Sequence, residues 1–229
     1  EFWMIASGNT AIPTAFIVDR TGTIVWLGNP LYPVGEFEQA VEQVMAGTYA
    51  LEAAKVVAAK RATDRRAADE VLAKVDEAWQ MGKQREAMEF VDRAMALDPI
   101  RLAPMGIDKF ITLAIRLNDV DAAYAYARTL VDKTYKDDPA LLAALASKIL
   151  EHPGLARHDV DLALAAATRA QELSKTDDAG VLDALARATF DKGDAATAAE
   201  LQQRAIAAAE DELTRQLLRK RLERYTGGK

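Results

Sequence analysis

Two periodicities divide this chain. From Thr14 to Leu27 the apolar residues are β-branched and aromatic and fall in two short runs broken by Asp19-Arg20-Thr21-Gly22. That pattern predicts a β-hairpin with Gly22 at positive φ in its turn. Asn29-Pro30 and Pro33 end the second run, and from Glu36 to Met45 apolar residues recur at 37, 40, 41, 44 and 45, which predicts a helix stopped by Gly47. After Tyr49 the chain is rich in Ala, Leu, Glu, Lys and Arg without a convincing strand, so helix is expected from about residue 50 onward. The boundary falls near 47–50, giving an N-terminal segment 1–48 and a helical region 49–229.

Within the helical region, turn signals stand at Gly82, Asn118-Asp119, Pro153-Gly154 and Gly193-Asp194, at intervals of 36, 35 or 36, and about 40 residues. A unit of that length predicts paired-helix repeats. About four hairpins are expected, roughly 68–99, 104–136, 140–174 and 179–210, the third with an irregular insertion at 151–159. The last helix, Glu212 to Tyr225, keeps apolar residues at 213, 217, 218, 222 and 225 and charges elsewhere, as a solvating cap would.

Residue spacing around the turns adds specificity. Met81 to Pro99 resembles the second half of a tetratricopeptide repeat, with Gly82 at the turn, Ala87 and Ala94 five and twelve residues later, and a closing Asp98-Pro99. Gly193, Ala198 and Ala205 repeat that spacing, and Asn118 with Ala123 is a weaker copy in which Leu130 replaces the second alanine. Small side chains at those places let neighbouring helices approach closely.

Residues 1–48 resemble the C-terminal part of the thioredoxin-like redoxin family, which contains peroxiredoxin-like and TlpA-type thiol-disulfide oxidoreductases. The resemblance rests on Ile12-Pro13-Thr14, on Phe16-Ile17-Val18-Asp19 and on Gly22. It implies a cis-proline at Pro13, the last two strands and last helix of that fold, and a preceding helix ending at Trp3–Ala6. Read from the residues alone, Pro13 is equally an ordinary trans proline opening a strand. Only eleven residues precede Ile12, so the first βαβ unit with its Cys-x-x-Cys helix has no counterpart, and without an initiator Met the natural start is expected further upstream. A hairpin cut off in this way leaves a strand edge at 14–19, expected to be covered by helices from 50–80 or by the same edge of a second copy in a homodimer.

The chain contains no cysteine, which removes thiolate catalysis, disulfides and Cys-ligated zinc from what these residues do. That absence fits a periplasmic or a cytoplasmic location equally, and an export signal would lie upstream. A net charge of −6 argues against a nucleic-acid partner, and no apolar run reaches membrane-spanning length.

Candidate chemistry is sparse. His152 and His158 flank the third turn beside Glu151 and Asp159, but their spacing matches no standard ligand motif, so no metal or cofactor is expected. Ser7, Ser147 and Ser174 lie in no nucleophile-elbow motif. The runs Asp137-Asp138, Asp177-Asp178 and Glu210-Asp211-Glu212 read as helix caps. Arg215, Arg219, Lys220, Arg221 and Arg224 read as the solvated cations of a capping helix, and Trp79, Tyr124 and Tyr126 as packing residues.

If the hairpins stack as tetratricopeptide repeats do, the first helix of each pair lines a groove for a protein or peptide. The facing residues are then Asp69, Asp76, Trp79 and Gln80, then Asp108, Thr112 and Arg116, and finally Asp183 and Arg187. The fold expected is mainly α, a tetratricopeptide-like helical-hairpin array preceded by a truncated thioredoxin-like hairpin and helix. Its function would be that of a redox-inactive interaction scaffold. The alternatives are a fragment of a thiol-disulfide oxidoreductase whose cysteines lie upstream, and a hydrolase with a non-standard site.

Overall fold

In the computed structural model, which describes residues 13–31, 33 and 35–227, the chain is mainly helical with a small two-stranded antiparallel hairpin near its start. The readings made for Trp3–Ala6, Ser7 and Ile12 lie outside the described residues. Two compact units divide the chain, residues 1–69 and 70–229.

In the N-terminal unit, β1 (Ala15–Val18) pairs with β2 (Ile24–Gly28), Phe16 opposite Leu27 and Ile17 opposite Trp26, with an irregularity between Ile17 and Val18. Backbone bonds from Asp19 N–H to the Thr23 carbonyl and from Gly22 N–H to the Asp19 carbonyl close the turn, and the Asp19 side chain reinforces it. The Asp19 carboxylate accepts from the backbone N–H of Thr21 and Thr23 at 2.8 and 3.0 Å and from the Thr21 hydroxyl at 2.6 Å, while Gly22 takes φ 85°. Pro13 is exposed, in a bend ahead of β1. α1 (Glu36–Ala46) ends at Gly47 in the left-handed region, as its sequence requires, and Phe37 packs at a tilt against the buried Trp26 with ring centroids 5.3 Å apart.

α2 (Leu51–Gln80) begins where the composition changes. It contains neither Gly nor Pro, so nothing breaks it for 30 residues, and the division between the compact units falls inside it at Asp69/Glu70. Arg61 on this helix grips Glu36 of α1 bidentately at 2.8 and 2.9 Å.

The C-terminal unit continues with α3 (Gln84–Leu97), α4 (Met105–Ile111), α5 (Val120–Thr129), α6 (Pro139–Glu151), α7 (Val160–Leu173), α8 (Ala179–Asp191), α9 (Ala195–Ala208) and α10 (Glu212–Tyr225). α4 and α5 each run on into a π-helical turn, Thr112–Arg116 and Leu130–Thr134. Helices joined by short turns pack on each other, as α4 on α5, α6 on α7 and α8 on α9; α3 also packs on α4, α6 and α7 on α8, and α9 on α10.

Local chemistry explains the breaks. Gly82, Asn118 and Gly193 adopt φ of 71°, 50° and 95° at the turns, the conformation that reverses a helix cheaply in glycine or asparagine. Asp119, Asp138, Asp159, Asp178, Asp194 and Asp211 all cap the following helix by accepting a backbone N–H three residues on. Ala87, Ala94, Ala198 and Ala205 are fully buried, as close helix approach demands. The exception at Leu130 is accommodated from the other side: Gly106 on α4 lies so near that a Cβ there would come 2.9 Å from the leucine Cδ2 and 2.4 Å from the Tyr135 hydroxyl.

Candidate functional site

The groove residues read from the sequence do not share one fate. Asp69 is exposed on the part of α2 that belongs to the N-terminal unit. In the C-terminal unit Asp76, Gln80 and Asp108 are exposed and Thr112 is half-buried at the start of the π-helical turn. That turn ends at Arg116, whose guanidinium lies 5.4 Å from the centre of the Trp79 ring, so two residues chosen separately come together as a cation–π pair. Arg116 is exposed.

Asp183 and Arg187 differ from the sequence expectation: both are buried rather than presented to a groove. They form a four-charge cluster with Glu151 and Arg221. Arg187 donates from Nη2 to the Ser147 hydroxyl at 2.7 Å and from Nε to the Asp183 carbonyl, and its Nη1 pairs ionically with Glu151 at 2.6 Å without the alignment of a hydrogen bond. Arg221 on α10 places Nη1 2.5 Å from Asp183 Oδ2 and Nη2 3.1 Å from Glu151 Oε1. The buried Gln202 amide donates to Asp183 Oδ1 at 3.0 Å and to the Leu218 carbonyl at 3.2 Å, tying α8, α9 and α10 together.

Two positive and two negative charges cancel, which is the condition for keeping such groups out of water. Sequence reading found two members of the cluster and placed Arg221 among solvated cap residues. The signal available was weak, since Glu151 and Arg221 lie 70 residues apart and each also suits an exposed helix face.

Tyr225 closes the same region. Its ring lies on Phe190 with centroids 4.6 Å apart, and its hydroxyl is buried with no hydrogen-bond partner among the described residues. Burial first, and the Asp183 carboxylate second, push this phenol from its ordinary 10 up to about 12. The unfolded chain therefore ionises Tyr225 before the folded one does, so stability is full below pH 10 and falls as the pH rises toward 12. Tyr225→Phe is expected to leave the thermal midpoint at pH 7 unchanged or slightly higher and to flatten its decline between about pH 10 and 11. An unaltered decline in thermal scans across that range would rule this out.

A second polar cluster sits between α3, α4 and α5. Lys109, buried, donates to Asp92 at 2.5 Å and to the Met88 carbonyl at 3.1 Å, with its ammonium 4.4 Å from the Tyr126 ring. Its three donors are thus accounted for, and the shallow depression of about 310 Å³ above it, lined in part by Arg85, Glu89 and Leu113, offers no unsatisfied group on Lys109.

His152 and His158 serve the third turn. His152 Nδ1 accepts from the Gly154 N–H, and His158 Nδ1 lies 2.6 Å from the Ile149 carbonyl. Ser147 is a partner of Arg187, and Ser174 bonds the Ala170 carbonyl. Among the described residues no group of three His, Asp or Glu side chains is arranged to hold a metal, and no helix is long and apolar enough to cross a membrane. A scan against protein-family models and searches of curated proteins and of solved structures return no match.

Proposed function

We propose that the C-terminal unit is a stack of tetratricopeptide-type helical pairs that binds a protein or peptide along its first helices. We place it after a thioredoxin-derived hairpin and helix that carry no redox chemistry in this chain. One observation carries the reading, the regular spacing of the links between successive hairpins. Arg85 pairs with Asp119, 34 residues on; Arg128 with Asp159, 31 on; and Lys192 with Asp161, 31 back. A buried tyrosine follows the same rule: the Tyr124 hydroxyl donates to the Arg157 carbonyl across 33 residues. Contacts recurring at this spacing support a repeat in the sequence, as expected when the units of a stack touch mainly their neighbours.

Such a stack turns its first helices to one face, and on that face Trp79, Asp108, Thr112 and Arg116 offer an aromatic plate, hydrogen-bond acceptors and a cation. These groups suit an extended peptide, whose backbone needs both donors and acceptors. Selection of a random displayed-peptide library on the immobilised chain tests this. Enriched peptides should bind the Trp79→Ala, Arg116→Ala double variant at least about tenfold more weakly at unchanged helix content. Equal binding by both proteins, or no enrichment, would discard the groove.

A further inference from the structure

We propose that Glu151 and Asp183 form a guanidinium-binding subsite, filled in this structure by the chain's own Arg221 and open to an arginine of a partner peptide when α10 is displaced. The partner half of this inference rests on the groove reading above; the subsite itself does not.

The geometry is that of a fork. Arg221 directs one terminal nitrogen to Asp183 on α8 and the other to Glu151 on α6, at 2.5 and 3.1 Å. A planar guanidinium spans two carboxylates in this way, whereas a lysine ammonium is a point charge. Charge balance then specifies the ligand. Arg187 offsets one of the two carboxylates, so removal of Arg221 leaves the cluster at a net charge of −1, with the Asp183 carboxylate still buried. An uncompensated buried carboxylate is costly, and a cation of the same shape relieves it.

The supplier of the present cation is a helix joined to the stack by a short connector. α10 follows α9 after Ala209, Glu210 and Asp211; it buries Leu218 and Tyr225 and accepts at the Leu218 carbonyl from Gln202, while Leu213 and Leu217 stay exposed, at 70% and 53%. Glu151 is itself exposed, so the subsite has a solvent-facing carboxylate through which a second arginine enters. Ser147 and Glu151 on α6 and Asp183 and Arg187 on α8 belong to the first helices of their pairs, as Arg116 does in its own.

The full-length Arg221→Gln variant provides the test. Its thermal midpoint should fall by about 5 °C. Guanidinium chloride at about 20 mM should return at least half of that loss, while equal concentrations of NaCl or tetramethylammonium chloride return none and the wild-type midpoint does not rise. In the Arg221→Gln, Glu151→Gln double variant the same recovery should need at least about threefold more guanidinium. A second measurement does not depend on the variant folding: a synthetic peptide of residues 212–227 should bind the wild-type chain at least about tenfold more tightly than the same peptide carrying Arg221→Ala.

Recovery no greater than with NaCl, or equal binding of the two peptides, overturns the subsite. Recovery by guanidinium together with no peptide enrichment on the whole chain removes the partner and overturns that half of the proposal. Enrichment without recovery leaves the groove standing and overturns the subsite alone.

Discussion

Replacing Arg187 by alanine is expected to destabilise the C-terminal unit by about 3–5 kcal/mol, the cost of removing one partner from a buried ion pair. The substitution removes the guanidinium that meets Glu151, Asp183 and the Ser147 hydroxyl at once, and it leaves Asp183, 4% exposed, facing only Arg221 and Gln202. Water cannot readily take the place of the lost donors. Removing both charges is a different matter. In Asp183→Leu, Arg187→Met the remaining Glu151 and Arg221 still pair with each other, and two apolar side chains of similar size fill the interior. The double variant should therefore be more stable than the sum of the single losses implies, by at least about 1 kcal/mol. Urea unfolding of the four proteins, followed by helix content, measures both quantities. Additive losses would show that the two residues do not act as a pair.

Phe110→Ala should cost a comparable amount, about 3–5 kcal/mol, through a cavity rather than a charge. Phe110 on α4 is fully buried and stands edge-on to the fully buried Tyr124 of α5, ring centroids 5.4 Å apart. Tyr124 in turn donates to the Arg157 carbonyl and accepts from the Asp159 N–H, the residue that caps α7. The ring contact thus supports one hairpin and, through the hydroxyl, the start of the next. Loss of the phenyl group is expected to lower protection of α7 amides against hydrogen exchange as well as the global midpoint. Phe110→Leu, nearer in volume, should lose less than about half as much. A loss under about 1 kcal/mol for the alanine variant would contradict the packing described.

Much of this fold was legible in the sequence because its devices are local. Gly22, Gly47, Gly82 and Gly193 mark turns or helix ends through the one property glycine has there, access to positive φ, and each does adopt it. Asp138, Asp178 and Asp211 cap helices as their position ahead of apolar periodicity required. Alanine at 87, 94, 198 and 205 signalled close approach, and all four are fully buried.

The parts that were not legible depend on residues distant in the chain. Gly106 answers Leu130 from another helix, a compensation that neither residue announces alone. The two π-helical turns have no residue signature of their own, yet one of them carries Arg116 to Trp79. Asp183 and Arg187, four apart on one helix, look like an ordinary surface pair. Their burial follows from Gln202 and Arg221, which arrive from later helices, so the charge pattern by itself could not tell a groove from a sealed cluster.

The proposed peptide-facing series of first helices can be mapped directly. Isotopically labelled protein titrated with an enriched peptide should show amide shift changes gathered on residues 70–80, on α4 with its π-helical turn, and on α6. Changes gathered instead on α3, α5, α7 and α9, the second helices of the pairs, would contradict the proposed groove.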